Sequence, residues 1–118
     1  MPPPQVEIPI IHRIFEFYKI FHSYSGVFPK RDKFNIGQKC ENYIIEILEL
    51  IIFASQSSSG AKLPILENAS KKLNTLKILI RLLKEIKAID IKKYVILENF
   101  CQEIGKMLGG WIKFIKNK

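Results

Sequence analysis

The chain has 118 residues, room for one domain and one core, and its 47 % hydrophobic share, rich in isoleucine and aromatics, excludes a disordered chain. Its formal net charge is +8, all of it held in residues 60–118, where thirteen Lys/Arg face five Asp/Glu; residues 1–59 carry six of each. A charge gathered in one half suits an anionic partner, beside the plainer reading of a lysine-rich solubilising surface.

The start, Met1-Pro2-Pro3-Pro4-Gln5, has no basic n-region or apolar h-region, so no signal peptide is expected and residues 1–7 read as a flexible segment. The first helix is predicted from about Ile8 to Tyr24. Ile10, Ile14, Phe17, Phe21 and Tyr24 form one stripe, and Ile11, Phe15, Tyr18 and His22 a second beside it. The stretch Ser25-Gly26-Val27-Phe28-Pro29 ends it.

The second helix is predicted to start near Asn35, with Asn35 as cap and Gln38 completing a capping box. Ile36, Cys40, Tyr43, Ile44, Ile47, Leu48, Ile51 and Ile52 then recur at helical spacing. The longest apolar run, Tyr43 to Ala54, is interrupted by Glu46 and Glu49 and is too short to span a membrane. Residues 55–60, Ser-Gln-Ser-Ser-Ser-Gly, read as a loop whose serines compete for the backbone bonds of the helix end.

The third helix is predicted from about Leu63 to Lys87, with Pro64 tolerated in its first turn. The fourth starts after an Asp90 cap, with Ile89 and Tyr94 placed for a hydrophobic staple. It runs on through Leu97, Cys101, Ile104, Leu108, Trp111 and Ile115. A join of a residue or two makes the last two helices antiparallel neighbours. No strand alternation of useful length occurs, so the fold class is all-α, an antiparallel up-down four-helix bundle spanning residues 1–118 as a single domain.

The third helix is apolar over more of its circumference than one core needs: Leu73, Leu76, Ile78, Leu79, Ile80, Leu82, Leu83, Ile86 and Ile89. Surplus apolar surface on a small protein predicts a homo-oligomer. The last helix holds three glycines within six residues, Gly105, Gly109 and Gly110, beside the only tryptophan, Trp111. Each glycine disfavours a helix interior by about 1 kcal/mol relative to alanine, so another backbone or the Trp111 ring is expected to come close there.

Catalytic patterns are missing. His12 and His22 lie on one helix, about 15 Å apart, too far to share a metal or a proton. His22 reads as semi-buried, His12 as solvated. No Glu-x-x-His pair suits a di-metal bundle, no cysteine spacing suits zinc, and no glycine-rich phosphate loop follows a strand. Cys40 and Cys101 read as small core residues of a reducing, cytoplasmic compartment. Helical ribonucleases of the HEPN type carry Arg, four residues, then His; here Arg13 and Arg81 are followed at that distance by Tyr18 and Ile86. The chain is therefore read as no enzyme, with no cofactor and no metal.

The better lead is basic. Lys77, Arg81 and Lys84 fall within about 60° on the third helix, on the side away from its apolar arc, flanked by Lys71 and Lys72. Lys92 and Lys93 open the fourth helix. Such a face can neutralise phosphates without reading sequence. Stacking aromatics are sparse: Phe34 and Tyr18 are candidates, each read first as core.

One resemblance covers nearly all of residues 8–113. Glu103-Ile104-Gly105-Lys106-Met107-Leu108-Gly109-Gly110-Trp111-Ile112-Lys113 resembles the C-terminal signature of Avd, the accessory variability protein family of diversity-generating retroelements. Pro9-Ile10-Ile11, the stretch Phe28 to Gly37, and Ile80-Arg81-Leu82-Leu83-Lys84 resemble other segments of that family. The resemblance implies a four-helix bundle assembled as a ring-like homopentamer, without enzymatic activity. It also implies that the chain binds the retroelement's reverse transcriptase and template RNA, or DNA, in support of mutagenic cDNA synthesis. Arg81 matches a basic family position. Gly105, Gly109, Gly110 and Trp111 are expected to serve packing or protomer contact. A related bundle encoded by intervening sequences of 23S ribosomal RNA genes is the alternative, or a general nucleic-acid-binding oligomer.

Overall fold

The computed structural model describes residues 4–117, with side chains from Pro9 onward. Five helices follow one another: α1 (Pro4–Ser25), α2 (Lys30–Asp32), α3 (Gln38–Ser55), α4 (Ser59–Glu85) and α5 (Ile91–Lys116). A π-helical turn, Lys33–Gly37, joins α2 to α3 without a break. The four long helices pack in the cyclic order α1, α3, α4, α5, and α5 closes back onto α1. No strand occurs among the described residues. The result is a four-helix bundle measuring 46 × 22 × 19 Å.

The core is made by the predicted stripes. Ile10, Ile14, Phe17 and Phe21 face Cys40, Ile44, Ile47 and Ile51 of α3, all buried. Leu66, Leu73, Leu76, Ile80 and Leu83 of α4 and Leu97, Cys101, Ile104, Leu108 and Trp111 of α5 complete it. Spacings of three and four put each set on one helix face. Phe17 stacks on Phe100 with ring centroids 5.4 Å apart.

Several boundaries differ from expectation. α1 begins at Pro4, ahead of the first regular apolar position; of the segment expected to be flexible, residues 1–3 lie outside the described residues. The second helical rod begins at Lys30, five residues before Asn35. Asn35 caps nothing: it sits inside the π turn, and Pro29 takes the cap position, its carbonyl accepting from the Asp32 and Lys33 amides at 2.9 Å each. α4 starts at Ser59 and takes in Gly60, shortening the expected serine loop to residues 56–58. Ser55 and Ser57 hydroxyls donate back to the Ile52 and Phe53 carbonyls, each at 2.7 Å, so the serines do terminate α3 as their chemistry suggests.

Two polar devices hold the ends of the bundle. Lys62 is 1 % exposed, and its Nζ donates to the Ala54 carbonyl at 2.6 Å. A cation there adds a second donor to the Ala54 carbonyl, which also accepts from the Ser57 amide at 3.2 Å, and complements the helix dipole at the C-terminus of α3. At the other end, α4 closes with the Ala88 amide donating to Leu83 and the Lys87 amide to Lys84, a Schellman arrangement. Lys87 occupies its left-handed position at φ 66°. The Asp90 cap is as expected: its Oδ1 accepts from the Lys93 amide at 2.8 Å.

One glycine is sterically required. A Cβ on Gly37 would lie 2.9 Å from Phe28 Cδ2 and 3.0 Å from the Asp32 carbonyl oxygen. Phe28 is itself buried, edge-on to Phe21. Gly37→Ala is therefore expected to cost about 1–3 kcal/mol through overpacking, visible as a lower urea midpoint with unchanged slope.

Candidate nucleic-acid interface

Lys77, Arg81 and Lys84 do not point straight out from the bundle. They run along the flank of α4 that meets α5. Lys84 Nζ lies 4.6 Å above the Tyr94 ring and 3.7 Å from Glu85. Arg81 acts electrostatically on Tyr94, and Lys77 on Cys101, both residues of α5. Arg81 is exposed, while Lys77 and Lys84 are half-buried along their stems. The outward face of α4 instead shows Ile78, 62 % exposed, with Leu82, Ile86 and Lys71. Part of the wide apolar arc thus faces outward, and the basic trio is pushed toward α5.

The other basic candidates divide. Lys71 and Lys92 are exposed. Lys72 is engaged across the α3–α4 seam, 3.0 Å from Glu46 and over the Tyr43 ring. Lys93 sits over the Tyr24 ring at 5.3 Å. From Lys71 to Lys84 is about 20 Å along α4, so the set forms a strip rather than a point site. The strip runs into a cleft of about 750 Å³ at the α4–α5 turn, lined by three lysines, Lys84, Lys87 and Lys92, and two carboxylates, Glu85 and Asp90. Lys87 did not stand out in the sequence, because its position depends on the left-handed closure of α4.

Burial pushes the thiols of Cys40 and Cys101 up to about 12, so both stay protonated and unreactive. No cluster of three or more His, Cys, Asp or Glu suits a metal among the described residues. The Tyr94 phenol is held above its ordinary value, first by its hydrogen bond to Glu98, then by partial burial.

Two side chains read as core lie outside it. His22 has 68 % of its side chain exposed, stacked on Tyr18, with Nδ1 3.5 Å from Glu41. Phe34 is 63 % exposed, because the π turn rotates it away from the bundle axis. His12 is exposed, as expected.

The glycine run also differs from its expected role within the chain. Trp111 is fully buried, but Gly109 and Gly110 point outward, and a methyl group added at either would meet nothing beyond its own helix within 4 Å. Gly105 meets only Leu73 Cδ2, at an ordinary 3.5 Å. No close approach inside the chain explains the outward pair. Gly109→Ala and Gly110→Ala should each raise the stability of the isolated chain by about 1 kcal/mol, read as a higher urea midpoint.

A family profile described as bAvd-like matches residues 9–115. The chain belongs to the bAvd-like family. The matched span reaches from α1 to α5 and so includes residues of all four long helices. No curated protein matches the chain. No described helix is long and apolar enough to cross a membrane.

Proposed function

We propose that this chain is a non-enzymatic accessory factor of a diversity-generating retroelement, acting in the cytoplasm. It binds the reverse transcriptase and the template RNA through the basic strip of α4 and the α4–α5 turn, and so supports mutagenic cDNA synthesis. The observation that carries this reading is the family match over residues 9–115. The concentration of positive charge at one flank and one end of the bundle agrees with a polyanionic partner.

The working form is a homopentameric ring. Two different apolar faces support it. One is the outward strip of Ile78, Leu82 and Ile86 on α4; the other is an apolar groove of about 520 Å³ between α1 and α3, lined by Phe15, Tyr18, Ile45 and Leu48 among others. Unlike faces that meet head to tail generate closed rings when the rotation closes. The outward Gly109 and Gly110 would give a neighbouring protomer room to approach α5 closely.

Affinity co-purification with a cognate retroelement reverse transcriptase, at moderate salt, tests the role; absence of association would sink it. Native mass measurement tests the ring, since a protomer of 13.7 kDa should give a species five times as heavy. A monomer at working concentration would reject that assembly.

A further inference from the structure

A second cleft lies at the corner where α1 ends and α3 begins. It encloses about 280 Å³, near the lower end of small-ligand pockets, about 300 Å³, and so of a size for one ring system. His22, Ser25, Lys33, Phe34, Gln38 and Glu41 line it. Two exposed aromatic rings, Phe34 and His22, form part of its walls. Glu41, with 24 % of its side chain exposed, supplies an oriented carboxylate: Ser25 Oγ, whose one proton is shared with the His22 carbonyl, lies 3.0 Å from its Oε2, His22 Nδ1 lies 3.5 Å from the same oxygen, and the Tyr18 hydroxyl donates to its Oε1 at 3.4 Å.

The surroundings select the ligand. A carboxylate beside aromatic rings would by itself suit a cation. Here, however, Lys30, Arg31 and Lys33 outnumber Asp32 on the adjoining turns, Lys33 Nζ lies 5.6 Å over one face of the Phe34 ring, and Lys93 reaches over Tyr24 at the end of α1. The cleft lined by Lys84, Lys87 and Lys92 opens at the same end of the bundle. A positive rim repels a free cation and attracts phosphate. Rings for stacking, a carboxylate that accepts N–H donors and a basic rim together match a nucleotide of a single strand, with its base inserted.

We propose that this cleft is a nucleobase site that prefers guanine in single-stranded RNA. Guanine's Watson–Crick edge offers two adjacent donors, N1–H and the N2 amino group, which one carboxylate accepts together. Adenine and cytosine offer an amino group beside an acceptor, and uracil one N–H between two acceptors. Gln38 adds an amide beside the carboxylate, and Lys33 meets the phosphate. The site is separate from the strip on α4 and rests on the RNA-binding reading only for its biological ligand.

The experiment titrates isotopically labelled full chain with guanosine 5′-monophosphate and, separately, uridine 5′-monophosphate, following amide shifts. It also measures binding of a labelled single-stranded oligonucleotide. The expected result is a shift centred on Phe34, Gln38 and Glu41, stronger with the guanine nucleotide. Phe34→Ala, an exposed side chain, should weaken single-strand binding about tenfold with an unchanged salt slope. Glu41→Gln keeps the size of the side chain but should erase the preference for guanine. Guanine-dependent shifts in a protein that binds no polynucleotide would uphold the cleft and reject the RNA reading. RNA binding with no nucleotide shift and no effect of Phe34→Ala would uphold the RNA reading and overturn the cleft. Equal shifts with both nucleotides, or shifts produced by arginine amide instead, would also overturn the assignment.

Discussion

Trp111→Ala is expected to lower the unfolding free energy by about 3–5 kcal/mol, the largest loss from any single truncation in this chain. Trp111 is 0 % exposed and is the largest of the fully buried side chains. It sits near the C-terminal end of α5, where the bundle is closed by the buried Lys62 at the opening of α4. Truncation leaves a cavity that the flanking helices cannot collapse to fill, since Lys62 and Ala54 fix the α3–α4 junction. Against a typical total of about 5–15 kcal/mol, such a loss brings the domain to the edge of unfolding. Trp111→Phe separates two contributions. The indole Nε1 is buried without a hydrogen-bond partner among the described residues. Phenylalanine removes that unpaired donor while retaining most of the ring, so its cost should be well below that of alanine. Circular dichroism during urea unfolding gives both values, since the only tryptophan is lost as a fluorescent probe. Equal losses for Phe and Ala would mean that the ring's packing is not what Trp111 contributes.

The bundle was legible because its buried positions keep helical spacing, and Asp90 was legible because a side-chain cap acts within three residues. What escaped depends on contacts distant in the chain or on backbone geometry. Pro29-Lys30-Arg31-Asp32 looks like a linker, yet proline at the cap position opens a helix, and the π turn then rotates Phe34 outward and Gly37 against Phe28. Lys62 has no local signal, since its partner carbonyl belongs to the preceding helix. The basic strip was half legible. Angular position placed Lys77, Arg81 and Lys84 together on α4, but which neighbour they flank depends on how α5 packs. The outward glycines remain unexplained by anything in the protomer, and that gap matters for function. The helix forgoes about 1 kcal/mol twice, at Gly109 and Gly110, with no contact inside the protomer in return, which is what the proposed ring would supply.

Replacing Lys77, Arg81 and Lys84 together with glutamate should abolish binding of RNA, of the reverse transcriptase, or of both, while the helical signal stays intact. The fold should survive because none of the three is buried: Arg81 is exposed, and Lys77 and Lys84 are intermediate. Lys84 gives up its contacts with Glu85 and the Tyr94 ring, which for such partly exposed groups are worth about 1 kcal/mol. Binding responds far more strongly, since three positive charges become three negative ones on one flank. Neutral replacements give the cleaner measure. With glutamine at all three positions, the dependence of log affinity on log salt should become shallower by about 2 for a single strand if all three lysine or arginine contacts are made. Lys72→Gln is the internal control: its ammonium is already held by Glu46 at 3.0 Å, so its slope should stay near that of the wild type. A triple glutamate variant that binds RNA and the reverse transcriptase like the wild type would place the interface elsewhere. The exposed lysines on the outer face of α5, Lys106 and Lys113, would then be the next basic surface to reverse.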